Sequence, residues 1–344
     1  MTSILERTIR RLLREGGLKL KPDDRVDLTP QLVKQACRVY EDLLSKWNAW
    51  LAQRGKEPVV PIKPSGSSSY AERDHEEGVD AIYGDVDYLV QFPSEKSDVT
   101  FAERRKSNAA VEREYTKLLG EFLNSVKPPQ VDVETTMKVN GIPTQIVLRL
   151  PGGQSVQVDT VITFAENSSW MKGRYTPERG VKGYVTGNLY KALGEYLTLT
   201  IGTEGVIART KDGIRVSSKQ RAGVDYQKVS GDFSTFLIDI AMYILGPDAR
   251  IGSALQQLPG LDAENVSVET LAQGIVALQD TLEKNDPGTY GTMLRDVLET
   301  FGNELESTVD AKSKRGLDGD KEIKLRKHNV EQLERVASIF AGSI

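Results

Sequence analysis

The chain has 344 residues, 39% of them hydrophobic and 27% charged, with a net charge of −4. That length allows two domains or one large elaborated one, the composition is ordinary for a globular protein, and the charge excludes a polycation built to coat nucleic acid. No segment approaches the ~20 apolar residues needed to cross a bilayer, and the opening "MTSILERTIRRLLREGG" interrupts its apolar positions with charge, so neither a membrane anchor nor a secretory leader is expected.

The single cysteine, Cys37, rules out an internal disulfide framework and fits a reducing, cytoplasmic compartment. With only His75 and His328 besides, a structural Cys/His zinc site is excluded. The chain contains no G-x-S-x-G, no G-x-x-x-x-G-K-[ST] and no G-x-G-x-x-G. Enzyme chemistry, if present, would rest on carboxylates and a metal ion.

In chain order, the first strong signal is a helix over "LTPQLVKQACRVYEDLLSKWNAWLAQRG". Thr29 is placed to cap it, Pro30 suits its first turn, and Gly55 marks its end. Residues 1–57 read as an N-terminal helical layer, with Cys37 a small packing residue. "EPVVPIKPSGSSSY" reads as a strand entering a Gly/Ser loop, and "DVDYLVQFP" as a second strand. "FAERRKSNAAVEREYTKLLGEFLNSV" is a long amphipathic helix stopped by Pro128 and Pro129. Three strands then follow, "VDVETTMKV", "TQIVLRL" and "QSVQVDTVITF", joined by short turns and so expected to be antiparallel. Residues 58–168 form the central segment.

Residues 169–225 begin with the basic connection "SSWMKGRYTPERGVKG" and continue into a helix, "YVTGNLYKALGEYL", and strands around "LTLTIGTEGVIART" and "GIRVS". Residues 226–344 are helical by pattern: "FSTFLIDIAMYILG", "VETLAQGIVALQDTLEKN", "GTMLRDVLETFGNELES" and "NVEQLERVASIFAG". "KSKRGLDGDKE" reads as an exposed loop.

The chemistry concentrates in the central segment. A strand leads to Gly66 and Ser67, and a second strand carries Asp85 and Asp87, two apart and therefore on one face. A later strand carries Asp159 between valines. Like charges on one strand face repel unless water screens them or a divalent cation sits between them. An isolated D-x-D carries little weight, and a second one, Asp318-Gly319-Asp320, reads as loop. Context distinguishes the first: β-branched and aromatic flanks, a preceding Gly-Ser loop and a third strand aspartate.

In that order the segment from Val59 to Phe164 resembles the DNA polymerase β-type nucleotidyltransferase superfamily, whose pattern is a Gly-Ser loop, a D-h-D strand and a third carboxylate on a neighbouring strand. The corresponding stretches are "SGSSS", "GDVDYLV" and "VQVDTVI". The resemblance implies an α+β fold in which a mixed or antiparallel sheet forms a nucleotidyltransferase core. N-terminal helices would pack against it and a C-terminal helical domain would close the other side of a cleft. It implies transfer of an NMP from an NTP to an acceptor hydroxyl with release of pyrophosphate, dependent on Mg²⁺ or Mn²⁺. Asp85, Asp87 and Asp159 are then the metal ligands, and Asp159 takes the role of base. Gly66 and Ser67 hold the outgoing phosphates. One departure is the 17 residues between Ser67 and Asp85, which read as an insertion, "AERDHEEGVDAIY", at the mouth of the site.

Lys172, Arg174, Arg179 and Lys182 are candidates for the triphosphate, with Trp170, Tyr175 and Tyr184 candidates for stacking on a base. "GVKGYVTGNLYKAL" is similar to the G-Y-x-x-x-L helix of archaeal-type CCA-adding enzymes, over too few residues to assign a substrate. The acceptor stays open: an RNA 3′ end, a second nucleotide in an oligonucleotide signal, a protein or a small molecule. A non-catalytic nucleotide-binding protein of the same fold and a metal-dependent nuclease are the alternatives. A nuclease needs clustered carboxylates but not the Gly-Ser loop.

Overall fold

The computed structural model describes residues 28–80, 83, 86–94, 101–138, 144–167, 170, 183–202, 204–211, 214–215, 227–257, 266–314 and 319–342. The chain divides into two units, Met1–Ser168 and Ser169–Ile344. The fold is mixed α+β, with a mixed sheet in the first unit.

Helix α1, Pro30–Ala52, starts as expected: the Thr29 hydroxyl accepts from the Leu32 N–H and Pro30 occupies the first turn. Val33, Ala36, Cys37, Tyr40, Leu43, Leu44, Trp47, Trp50 and Leu51 recur at helical spacing, and all are buried. Gly55 follows with φ +66°, a conformation that an L side chain resists.

This helix lies on one face of a four-stranded sheet formed by β1 (Val60–Ser65), β2 (Val86–Phe92), β3 (Gln145–Arg149) and β4 (Ser155–Phe164), in the order β1-β2-β4-β3. Val86, Tyr88, Val90 and Phe92 from β2 and Val156, Val158 and Phe164 from β4 pack with the α1 residues in one core. Each such side chain, once buried, contributes roughly 1.5–3 kcal/mol. Tyr40 ties the layers together: its hydroxyl lies 2.6 Å from Thr160 Oγ1, and its ring lies 5.2 Å from that of Tyr88. Helix α3, Phe101–Val126, adds Tyr115, Leu119, Phe122 and Leu123 to the same core. A short helix α2, Ala71–Glu76, precedes β2.

The expected antiparallel pairing of "TQIVLRL" with "QSVQVDTVITF" is present as β3 with β4; β1 also pairs antiparallel with β2, while β2 and β4 run parallel, which makes the sheet mixed. The intervening α3 supplies the long crossover that parallel neighbours require. The expected strand "VDVETTMKV" is instead a single bridge, Val131 to Leu148, followed by helix α4, Val133–Lys138. Asp132 accepts a hydrogen bond from the Thr135 N–H, so a helix cap overrides the alternating apolar pattern.

The second unit begins with helix α5, Gly183–Tyr196, then a three-stranded sheet of β5 (Leu199–Gly202), β6 (Gly205–Ala208) and β9 (Lys228–Ser230), with a two-stranded ribbon, β7 (Thr210–Lys211) and β8 (Ile214–Arg215). Helices α6 (Phe236–Leu245), α7 (Ser253–Gln256), α8 (Val268–Asn285), α9 (Met293–Lys314) and α10 (Gly319–Ala341) complete it. Its separate core is centred on Trp170, Tyr190, Phe233 and Phe236. The expected loop "KSKRGLDGDKE" is mostly helix, because α9 extends to Lys314 and α10 starts at Gly319; a 2.6 Å bond from the Ser313 hydroxyl to Glu322 links the two ends. Among the described residues no helix is long and apolar enough to cross a membrane.

Candidate functional site

The strand register brings the site together. On β2 the residues facing α1 alternate with Asp87, Leu89 and Gln91, and on β4 with Asp159, Val161 and Thr163. Asp87 and Asp159 are direct partners across the parallel β2–β4 pair, so their carboxylates share the sheet face opposite α1, on strands ~4.8 Å apart. Ser65 on β1 partners Asp87, and Gln145 on β3 partners Asp159. Ser65, Asp87, Asp159 and Gln145 therefore form a row across all four strands. Asp85 lies outside the described residues. Among the described residues, no three carboxylate, imidazole or thiol groups form a metal cluster.

The Gly-Ser loop meets this row. Gly66 has φ +59°, and a Cβ placed on it would lie 2.5 Å from Asp87 Oδ2, so only a residue without a side chain fits here beside the carboxylate. Ser68, buried, donates its hydroxyl to Ser65 O at 2.6 Å and to Asp87 O at 3.1 Å, riveting the loop to β2. Ser69 donates to Gly66 O at 2.7 Å. Two of the serines thus hold the loop's shape, while Ser67 is exposed. The insertion after the loop is fixed by Tyr83, whose hydroxyl donates to Asp74 Oδ2 at 2.5 Å; both residues are buried.

Asp159 is held by two amides. Gln157 Nε2 donates to Oδ1 at 2.6 Å and Gln145 Nε2 to Oδ2 at 3.4 Å. Neither glutamine stands out in the sequence; the alternation placing Gln157 on the face of Asp159 was the only available signal. The charge of Asp159 is felt through the sheet: burial first, and Asp159 behind it, hold the Tyr40 hydroxyl well above the usual phenol range, against the Thr160 hydrogen bond.

The donors fit a hard divalent cation. Carboxylate oxygens paired across adjacent strands suit Mg²⁺ or Mn²⁺, and the described residues of this face contribute neither thiol nor imidazole.

Of the other candidates, Lys172, Arg174, Tyr175, Arg179 and Lys182 lie outside the described residues. Trp170 does not serve base stacking: it is 1% exposed, packed edge-on against Phe233 and Phe236 in the second core. Tyr184 donates its hydroxyl to Asn329 Oδ1 at 2.5 Å within the second unit. His75 is exposed on α2. Cys37 is buried, with burial and the nearby Glu41 pushing its thiol up to about 12.

No protein-family model matches the chain, and no curated protein matches it. Among solved structures, the chain is similar to the crystal structure of Leishmania infantum polymerase beta in a ternary P/T complex. The TM-score is 0.36 and the identity 12%, over 70% of this chain and 86% of that one. A likeness that distant carries no argument about chemistry.

Proposed function

We propose that the chain is a metal-dependent nucleotidyltransferase that moves an NMP from an NTP to an acceptor hydroxyl and releases pyrophosphate. The observation that carries this reading is the in-register pairing of Asp87 with Asp159 beside a glycine loop in contact with Asp87. Asp87 and Asp159, with Asp85, would hold Mg²⁺ or Mn²⁺. When bound, such ions stabilise the charge that develops on the attacking and leaving oxygens.

The chain's own groups do the rest. Asp159, with its oxygens fixed by amides, is set to accept the proton of the acceptor hydroxyl. Ser67 and the backbone N–H groups of the Gly66 turn bind the phosphates that leave as pyrophosphate. Rigid strands carry both aspartates, so little reorganisation accompanies reaction.

The test is incubation with each α-³²P-labelled NTP, Mg²⁺ or Mn²⁺ and a mixed pool of short RNAs, comparing wild type with Asp87→Asn and Asp159→Asn. Label moving to RNA, protein or a new small molecule, and absent with either variant, supports the reading and identifies the acceptor class. Transfer that persists undiminished in both variants overturns it. Ser67→Ala separates the chemistry from that of a nuclease: a transferase should show a raised KM for NTP, whereas phosphodiester cleavage should be unaffected.

A further inference from the structure

We infer that Gln157 and Gln145 are positioning residues for Asp159, fixing its carboxylate for a divalent cation without cancelling its charge. The inference rests on the metal-dependent reading above. Gln157 precedes Asp159 by two residues on β4 and so shares its face; it is 3% exposed, and its Nε2 reaches Oδ1 at 2.6 Å. Gln145 comes from the neighbouring strand, directly across from Asp159, and reaches the other oxygen at 3.4 Å. With a separate donor on each oxygen, the carboxylate loses its freedom to rotate.

The choice of residue type is informative. A buried strand position defaults to a β-branched or aromatic side chain, and an amide there is unfavourable unless it is paired. A lysine or arginine would position the carboxylate equally well but would neutralise it and repel a metal ion. A neutral amide occupies one lone-pair direction per oxygen and leaves the remaining ones for a cation.

A second observation points to a ligand on this face. Ser65 Oγ and Gln145 Oε1, at the two ends of the Ser65–Asp87–Asp159–Gln145 row, are buried without a hydrogen-bond partner among the described residues. Folded proteins rarely leave such atoms unpaired, and those that remain call for an explanation such as a missing ion or water. One of the two donors to Asp159 and both unpartnered polar atoms thus lie along the same row.

The test is Mn²⁺ titration of the full chain without nucleotide, read by electron paramagnetic resonance of the free ion, alongside thermal unfolding. Gln157→Met keeps the side-chain length and removes the donor. It should weaken Mn²⁺ binding about 10- to 100-fold, as losing an outer-sphere partner of a metal ligand does. Gln145→Met, which loses the longer contact, should show a smaller loss in the same direction. A Gln157→Met protein that melts lower yet binds Mn²⁺ like wild type would show a merely structural role and overturn the inference. If Gln157→Met does not fold, Gln145→Met decides: weakened binding upholds the inference and unchanged binding overturns it. Asp159→Asn separates the two levels. Unchanged Mn²⁺ affinity in Asp159→Asn defeats the metal-dependent reading itself, whereas loss there with none in the glutamine variants defeats only the positioning role.

Discussion

Replacing Gly66 by alanine should disturb the loop in two separable ways. The backbone at Gly66 has φ +59°, a left-handed conformation that costs an L residue about 1–2 kcal/mol. The new methyl would also lie 2.5 Å from Asp87 Oδ2, about 0.8 Å inside an ordinary carbon–oxygen contact of about 3.3 Å. Because Ser68 holds the loop to β2, the loop does not lift freely and the Asp87 side chain must leave its rotamer, for about 0.5–1.5 kcal/mol. Together these predict a loss of about 2–3 kcal/mol, or roughly 5–10 °C in Tm for a unit of this size. The assay is a double-mutant cycle with Asp87→Ala, followed by urea denaturation in a Trp170→Phe background, where Trp47 and Trp50 report on the first unit alone. With the carboxylate gone, only the backbone part should remain, giving a coupling of about 1 kcal/mol. Effects that add within about 0.3 kcal/mol would refute the proposed contact between loop and carboxylate.

Tyr83→Phe removes the donor to the buried Asp74 carboxylate and should lower the urea midpoint by the equivalent of about 1.5–3 kcal/mol; an unchanged midpoint contradicts the assignment. Cys37, with burial first and Glu41 next pushing its thiol up to about 12, should react with a disulfide reagent at pH 8 only after unfolding, and rapid labelling of native protein would contradict this. Its unfolded value, 9.0, is the lower one, so its contribution to stability is complete below pH 9 and is lost as pH rises toward 12; Cys37→Ala should flatten that part of the alkaline profile. At Asp132, burial alone would raise the carboxyl, but the Thr135 N–H and the Arg149 guanidinium more than offset it and hold it below 3.8. Its stabilising effect is therefore present above that pH and lost in acid, so Asp132→Asn should destabilise clearly at pH 7 and far less at pH 2, and equal losses at both would be contrary.

The helices were legible because their signals are local. In α1 the Thr29 cap, Pro30 and the spacing of Val33 through Leu51 agree with one another, and α3 begins and ends where the apolar pattern does. The alternation in "DVDYLVQF" likewise separated Asp87 from the core-facing Val86 and Tyr88. The short turn before β4 made its antiparallel pairing with β3 legible, whereas the parallel β2–β4 pairing was not, because it joins strands far apart in the chain. At "VDVETTMKV" the period-2 pattern misled because one cap at Asp132 decides the segment. Gln145 and Gln157 carry no signal in the sequence for a related reason: a glutamine becomes informative only when the register sets it beside a carboxylate. Trp170 fell in a basic stretch that suggested ligand contact, yet its large apolar ring belongs to the second core.

The claim on which everything else turns is that Asp87 and Asp159 hold one divalent metal site. The most direct measurement is anomalous diffraction from crystals grown with Mn²⁺ and an NTP carrying a non-hydrolysable α,β bridge. Manganese density bonded to oxygens of both Asp87 and Asp159, with the phosphates against the Gly66–Ser67 turn, is the predicted result. Manganese bound elsewhere with nucleotide present, or nucleotide bound with both aspartates occupied only by protein side chains, would contradict it.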